Sequence, residues 1–198
     1  LTGNSVEDAF AMLNRGQVDL LAMGLTVTPS RSRDIRFTES LDSTRMILVQ
    51  RKPNRWRSLS AANLEDRLVR NPLELSHKTI YVQKGSSHAE YLNAFSEEAG
   101  EPMTIVEVPF EAEGLIDLVG KGEIEFAACD ENIAKVNSAR FPDIDIETTL
   151  SSHQNLAWAI RKKNSGQLEN ELNQWIRTFR ETQTFAILYS KYFRSYNS

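Results

Sequence analysis

Two stretches of the chain, 106 residues apart, carry the same order of element-forming residues. Setting "EDAFAMLNRGQVDLLAMG" (7–24) over "EGLIDLVGKGEIEFAACD" (113–130) pairs Glu7 with Glu113, Phe10 with Ile116, Leu13 with Val119, Arg15 with Lys121, Gly16 with Gly122, Val18 with Ile124 and Asp19 with Glu125. Each copy reads as a helix with one apolar face, a glycine that stops it, and an apolar run of strand length. Two such copies predict two similar lobes, each with helices layered on a sheet. Helix–strand units share some of this grammar, so a chance likeness is the competing reading. If the repeat is real, Gly24 and Asp130 stand at corresponding strand ends. In α/β sheets ligands gather at the carboxyl ends of strands, so a cleft between the lobes is the expected binding place.

The remaining chain fits the same α/β alternation. Residues 5–15 form a helix pattern with Ser5 as its cap and Gly16 as its stop, followed by "VDLLAM" as a buried strand. "RMILVQRK" (45–52), "KTIYVQ", "MTIVEV", "IEFAAC" and "LAWAIRK" read as further strands. Helical patterns fall near 60–70, over 88–99 up to Gly100, and in "EGLIDLVGK". Leu168, Leu172, Ile176 and Phe179 form the stripe of a helix packed on one side, and "TFAILYSKYF" reads as a last helix capped by Thr182 or Thr184.

Composition excludes several function classes. The formal net charge is -4, which offers no overall basic field for nucleic acid or an anionic membrane, and no nucleic-acid partner is expected. No apolar run approaches the ~20 residues that a bilayer crossing needs. The opening "LTGNSVEDAF" reads like the middle of a domain, so any targeting segment is expected upstream of it. Cys129 is the only cysteine, which excludes an intramolecular disulfide and a thiolate zinc cluster. His77, His88 and His153 lack metal-ligand spacing, so neither metal nor cofactor is expected.

The chemistry concentrates at the two strand ends. "GLTVTPSR" (24–31) supplies Gly24, Thr26, Thr28 and Arg31, and a guanidinium flanked by hydroxyls and backbone N–H groups can grip a carboxylate. The other reading is a polar turn with Arg31 in solvent. Asp130 suits an ammonium; it can equally cap the helix pattern "ENIAKVN". In "VQKGSS", Gln83, Gly85, Ser86 and Ser87 lie where a strand meets a helix start, so free N–H groups there favour a negative ligand group, with ordinary capping by Ser86 or Ser87 as the alternative. His88 and Glu131 are the nearest candidates for acid–base chemistry. A surface position for His88 and a first-turn, dipole-facing role for Glu131 are the simpler expectations.

"VDLLAMGLTVTPSRSRDIRFTESL" resembles the signature of the periplasmic solute-binding proteins of the amino-acid type. That signature is an aspartate-containing strand, then Gly-x-Thr-x-Thr-x-x-Arg, a charged spacer and Phe-Thr. The resemblance continues through "KTIYVQKGSS", the unit ending at Asp130 and "LAWAIRKKNSGQLENELNQWI". It implies an α/β, two-lobed type II fold, with lobe one from 1–47 and 157–198, lobe two from 48–156, and hinges in the extended crossings. It also implies that Thr26 and Arg31 hold a ligand carboxylate while Asp130 holds its amino group. "VQRKPNRWRSLS", "LVRNPLEL" and "CDENIAKVN" are similar to the sensor-like domain of membrane-bound lytic transglycosylases. This implies a periplasmic, membrane-anchored parent with a fused peptidoglycan-cleaving domain, and an amino acid or cell-wall-derived peptide as ligand. A free transport receptor and a small cleft dehydratase are the alternatives. Two departures from the family pattern stand out. The usual opening strand-helix-strand of lobe one is not present, which leads to an expectation of self-association through the uncovered "VDLLAM" strand. Gln83 also replaces the usual charged or hydroxyl contact.

Overall fold

The computed structural model describes residues 6–191. The segment ending at Thr44 and the segment from Gln154 onward form one compact unit, and Arg45–His153 forms another.

The first unit opens with α1, Val6–Asn14, which buries Ala9 and Leu13. Ser5, its expected cap, lies outside the described residues. Gly16 then takes φ 74°, a left-handed conformation that costs other residues roughly 1 kcal/mol or more. Its N–H donates to the Leu13 carbonyl at 3.1 Å, and the Gln17 N–H donates to the Met12 carbonyl at 3.0 Å, a two-bond closure of the helix end. β1 covers Leu20–Thr26. The strand begins later than the "VDLLAM" pattern suggests and runs further, so Gly24 lies inside it rather than in a loop. α2 (Arg31–Asp34), β2 (Ile35–Phe37) and β3 (Asp42–Thr44) follow.

The second unit runs β4 (Met46–Arg51), α3 (Ala61–Glu65), β5 (Thr79–Gln83), α4 (Ser87–Ala99), β6 (Thr104–Val108), α5 (Ala112–Lys121), β7 (Phe126–Asp130), α6 (Glu131–Ser138) and β8 (Ile144–Asp145). Its sheet has the order β6-β5-β7-β4-β8. β5 is parallel to β6 and β7, whereas β4 is antiparallel to β7 and β8. Strand periodicity explains the unbroken apolar runs. Met46, Leu48, Phe126 and Ala128 pack on one face with Ile80 and with Ala89 and Leu92 of α4. Ile47, Val49, Ala127 and Cys129 pack on the other with Leu115, Ile116 and Val119 of α5. A strand covered on both faces needs no polar alternation. Burial pushes the Cys129 thiol far up in pKa, which makes it a packing residue rather than a nucleophile.

One polar knot interrupts this interior. Arg70 NH1 and NH2 donate to Asp145 Oδ1 and Oδ2 at 2.6 and 3.0 Å, while its Nε donates to Glu65 Oε2 at 2.6 Å. The amide of buried Gln50 joins Asp145 Oδ1 to the Val69 carbonyl, and its oxygen accepts from the Val69 N–H. Hydrogen bonds to Glu65 and then to Asp145 raise the guanidinium's pKa, so the cation is fixed at any working pH.

The chain returns to the first unit as β9 (Gln154–Arg161), α7 (Gly166–Arg180) and α8 (Gln183–Tyr189). β9 pairs antiparallel with β1, β2 and β3, and the outer edge of β1 has no strand partner among the described residues. Ala9, Leu13, Leu21, Leu25, Ile35 and Ala159 form this unit's core. The α7 stripe buries Ile176 fully, with Leu168, Leu172 and Phe179 partly covered. Thr182, rather than Thr184, caps α8 by accepting from the Phe185 N–H at 3.1 Å. Trp158 stacks on Trp175 at 5.9 Å, and Trp175 on Phe179 at 4.7 Å. The end of the last helix pattern, beyond Lys191, lies outside the described residues.

The internal repeat is visible in the coordinates. The α5 stop repeats that of α1: Gly122 has φ 78°, its N–H donates to the Val119 carbonyl at 3.0 Å, and the Glu123 N–H donates to the Leu118 carbonyl at 3.0 Å.

Candidate ligand-binding residues

In the first unit the segment after β1 is tied to itself. Thr28 Oγ1 accepts from the Arg31 N–H at 3.2 Å and shares a hydrogen bond with Ser30 Oγ at 3.0 Å. Arg31 NH1 donates to the Thr26 carbonyl at 3.0 Å, and its guanidinium carbon lies 5.6 Å from the centre of the Phe10 ring. Thr26 is buried, and Arg31 is partly covered. The turn therefore gathers Thr26, Thr28 and Arg31 and orients the guanidinium on a carbonyl and an aromatic face. Gly24, inside β1, faces solvent in its strand. Phe10 was expected only as a core residue; its role beneath Arg31 depends on tertiary placement that helix periodicity does not encode.

In the second unit the strand parity already described sends Asp130 to the same side as Phe126 and Ala128, the side covered by α4. There His88 Nε2 lies 3.3 Å from Asp130 Oδ1. His88 is only 7% exposed, which corrects the expectation of a surface histidine. Its Nδ1 is buried with no hydrogen-bond partner, and so is Ser86 Oγ. Neither Asp130 nor Ser86 uses its side chain as a helix cap, although each occupies the N-cap position. The first turn of α4 thus brings buried polar atoms beside a carboxylate, while Ser87 is itself buried.

The "KGSS" turn does not offer its N–H groups freely. Gly85, at φ 73°, donates its N–H to Glu107 Oε2 at 3.1 Å, and Gln83 Nε2 donates to Glu111 Oε2 at 2.7 Å. Glu107 thus takes an N–H of the turn and Glu111 takes the side-chain amide of Gln83, and the sequence pattern singled out neither carboxylate.

Glu131 is a structural ion. Arg45 grips it with two hydrogen bonds, Nε to Oε2 at 3.0 Å and NH2 to Oε1 at 2.8 Å, and Lys135 lies 2.9 Å from Oε1. The hydrogen bond from Arg45 holds its carboxyl down at about 2, with Lys135 adding to the effect. Such a group is a poor proton carrier near neutral pH. Among the described residues no group of three or more His, Cys, Asp or Glu is arranged to hold a metal ion, and no helix is long and apolar enough to cross a membrane.

Residues 2–195 match the family model described as bacterial extracellular solute-binding proteins, family 3. The chain belongs to this family. Among curated relatives, the chain is similar to the membrane-bound lytic murein transglycosylase F of Desulfosudis oleivorans, 29% identical over 93% of this chain and 38% of the relative. It is also similar to the enzyme of the same name from Alcanivorax borkumensis, 27% identical over 91% of this chain and 36% of that relative. The chain thus spans less than two fifths of the length of these relatives. Among solved structures it superposes on an ancestral arginine-binding protein bound to arginine, with a TM-score of 0.78, 18% identity, and coverage of 97% of this chain and 79% of that one. These likenesses show the fold, that of type II periplasmic amino-acid-binding proteins.

Proposed function

We propose that this chain is a non-catalytic binding domain for an amino acid or a cell-wall-derived peptide, and that it regulates a fused lytic murein transglycosylase. The observation that carries the reading is the pairing of opposite chemistries at matching strand ends: an oriented guanidinium after β1 and a partly covered carboxylate at the end of β7. Arg31, with Thr26 and Thr28, would take the ligand carboxylate, and Asp130 would take the ammonium. Glu107 and Glu111 add to the preference for a cationic end, which makes L-arginine the first probe. Because a ligand shifts a conformational equilibrium only through contacts that differ between states, closure would follow from one ligand touching both sets of residues, with β4 and β9 carrying the hinges. Gly24, Gln83, Gly85, Ser86 and Ser87 would line the remainder. The names of the curated relatives support a periplasmic parent anchored to the membrane outside this chain.

Thermal denaturation with amino acids and muropeptides tests this. Ligand at a hundredfold excess over its Kd should stabilise the protein by about 2.7 kcal/mol. Arg31→Ala and Asp130→Asn should each remove that gain, and retention of the gain in either would refute the clamp. A free transport receptor is the second reading, favoured by a solved neighbour described as an amino acid ABC transporter substrate-binding protein bound to L-arginine. The coding sequence downstream of Ser198 separates the two. The edge of β1 that has no strand partner among the described residues, where Met23 is 43% exposed, is where a second copy could add a strand, and sedimentation as a single monomeric species in dilute solution would exclude this.

A further inference from the structure

The turn that follows β4 concentrates positive charge in a chain that is acidic overall. Arg51, Lys52, Arg55 and Arg57 surround a pocket of about 170 Å³ together with Pro53, Asn54, Trp56 and one acid, Asp143. Four cations against one carboxylate leave the pocket at net +3, whereas the whole chain carries -4. The walls are fixed by hydrogen bonds. Trp56 Nε1 donates to Asp143 Oδ1 at 2.8 Å, the Lys52 N–H donates to the Asp143 carbonyl at 2.8 Å, and Lys52 Nζ donates to the Pro142 carbonyl at 3.1 Å. Arg51 NH1 donates to the carbonyls of Val119 and Gly120 at the end of α5.

Of the four cations only Arg57 has a carboxylate partner among the described residues. Lys52 Nζ and Arg57 Cζ lie 4.3 and 4.6 Å from the Trp56 ring centre, and Arg57 reaches Asp143 only at 3.4 Å. Arg55 holds a left-handed backbone, φ 61°, and its guanidinium has no hydrogen-bond or ion-pair partner among the described residues. The indole hydrogen bond, with help from Arg57, Arg51 and Lys52, keeps the Asp143 carboxyl below its ordinary range, so the lone acid stays ionised and already engaged.

We propose that this turn is a binding site for a phosphate group, separate from the amino-acid residues described above. Tetrahedral phosphate oxygens suit guanidinium forks, and an excess of three positive charges accommodates a free phosphate dianion as well as a singly charged phosphodiester. The group can come from a free phosphate or from an anionic phospholipid headgroup, and an indole flanked by cations suits the second source as well as the first.

The test follows the Trp56 indole N–H resonance, assigned by its disappearance in Trp56→Phe, in two arms at constant ionic strength. One arm titrates inorganic phosphate; the other adds vesicles containing phosphatidylglycerol, with pure phosphatidylcholine vesicles as the control. A saturable response to either anionic probe that the double substitution Arg55→Gln and Arg57→Gln weakens at least about tenfold supports the proposal, since each change removes a charge-assisted donor. A response confined to the vesicle arm identifies a headgroup as the source, and one in the phosphate arm identifies a free phosphate site. No response in either arm overturns the proposal, and so does a response that the double substitution leaves unchanged. Both substituted side chains are exposed, and an unchanged melting temperature will show that the double variant is folded.

Discussion

The two copies of the helix–glycine–strand unit agree in the helix stop and the strand and differ in the polar groups that follow the strand. In both, a left-handed glycine ends the helix with the same two hydrogen bonds, 106 residues apart. In both, an arginine from the neighbouring antiparallel strand lies against that glycine. A Cβ on Gly16 would sit 2.8 Å from Arg161 NH1, and one on Gly122 would sit 3.0 Å from Arg51 NH1. The registers agree as well, since Leu20 pairs with Ile160 and Phe126 with Gln50, each one residue before its arginine. Beyond the strand the copies diverge. The first runs into a turn that folds Arg31 back onto the Thr26 carbonyl, whereas the second ends on Asp130 beside buried His88. A shared scaffold thus presents a cation in one copy and a carboxylate in the other.

The comparison can be broken most severely through the surroundings of the second copy. Arg70→Ala should destabilise Arg45–His153 by about 3–5 kcal/mol, because it leaves the buried Asp145 carboxylate unpaired. Hydrogen exchange should show the loss confined mainly to that unit; equal loss in the other would mean that the two unfold as one.

Acid should sharpen the difference next. The Glu131 carboxyl is held at about 2 against an ordinary 4.5, so its contribution is fully present above pH 4.5 and is lost as the pH falls toward 2. The loss should amount to at most about 3 kcal/mol, and Glu131→Gln should flatten that part of the stability profile. The first copy has glycine at the equivalent of Asp130 and no such ion pair following it. A profile unchanged by the substitution would remove Glu131 from the account.

The smallest effects test the likeness itself. Gly16→Ala and Gly122→Ala should each cost about 1–2 kcal/mol, from the left-handed backbone and from displacing the arginine. Denaturant melts giving clearly unequal losses would show that the two stops are alike in shape but not in energy.

Much of this was legible in the sequence for a physical reason: helix periodicity, glycine stops and apolar strand runs are local signals. The α/β class, α1, α4, α5 and α7 and the six long strands follow from them. β2, β3 and β8 escaped because three residues or fewer carry no periodicity, and their pairing with β9 and β4 is set by distant partners. The chemistry-bearing turn from Thr26 to Arg31 was visible as a motif, but the Phe10 ring beneath Arg31 was not. His88 was misread because its position in a first helical turn suggests exposure, while the parity of β7 directs Asp130 toward it. Glu107 and Glu111 carried no signal in the sequence, and only the fold brings Glu107 to the Gly85 N–H and Glu111 to the Gln83 side-chain amide.

The tryptophans give each unit its own optical label. Of the three in the chain, Trp158 and Trp175 stack in the first unit, while Trp56 stands apart from them in sequence within the second. Two indoles 5.9 Å apart couple their electronic transitions, so an exciton couplet in the circular dichroism spectrum should vanish when the first unit melts. Emission from Trp56, quenched or shifted independently, then times the second.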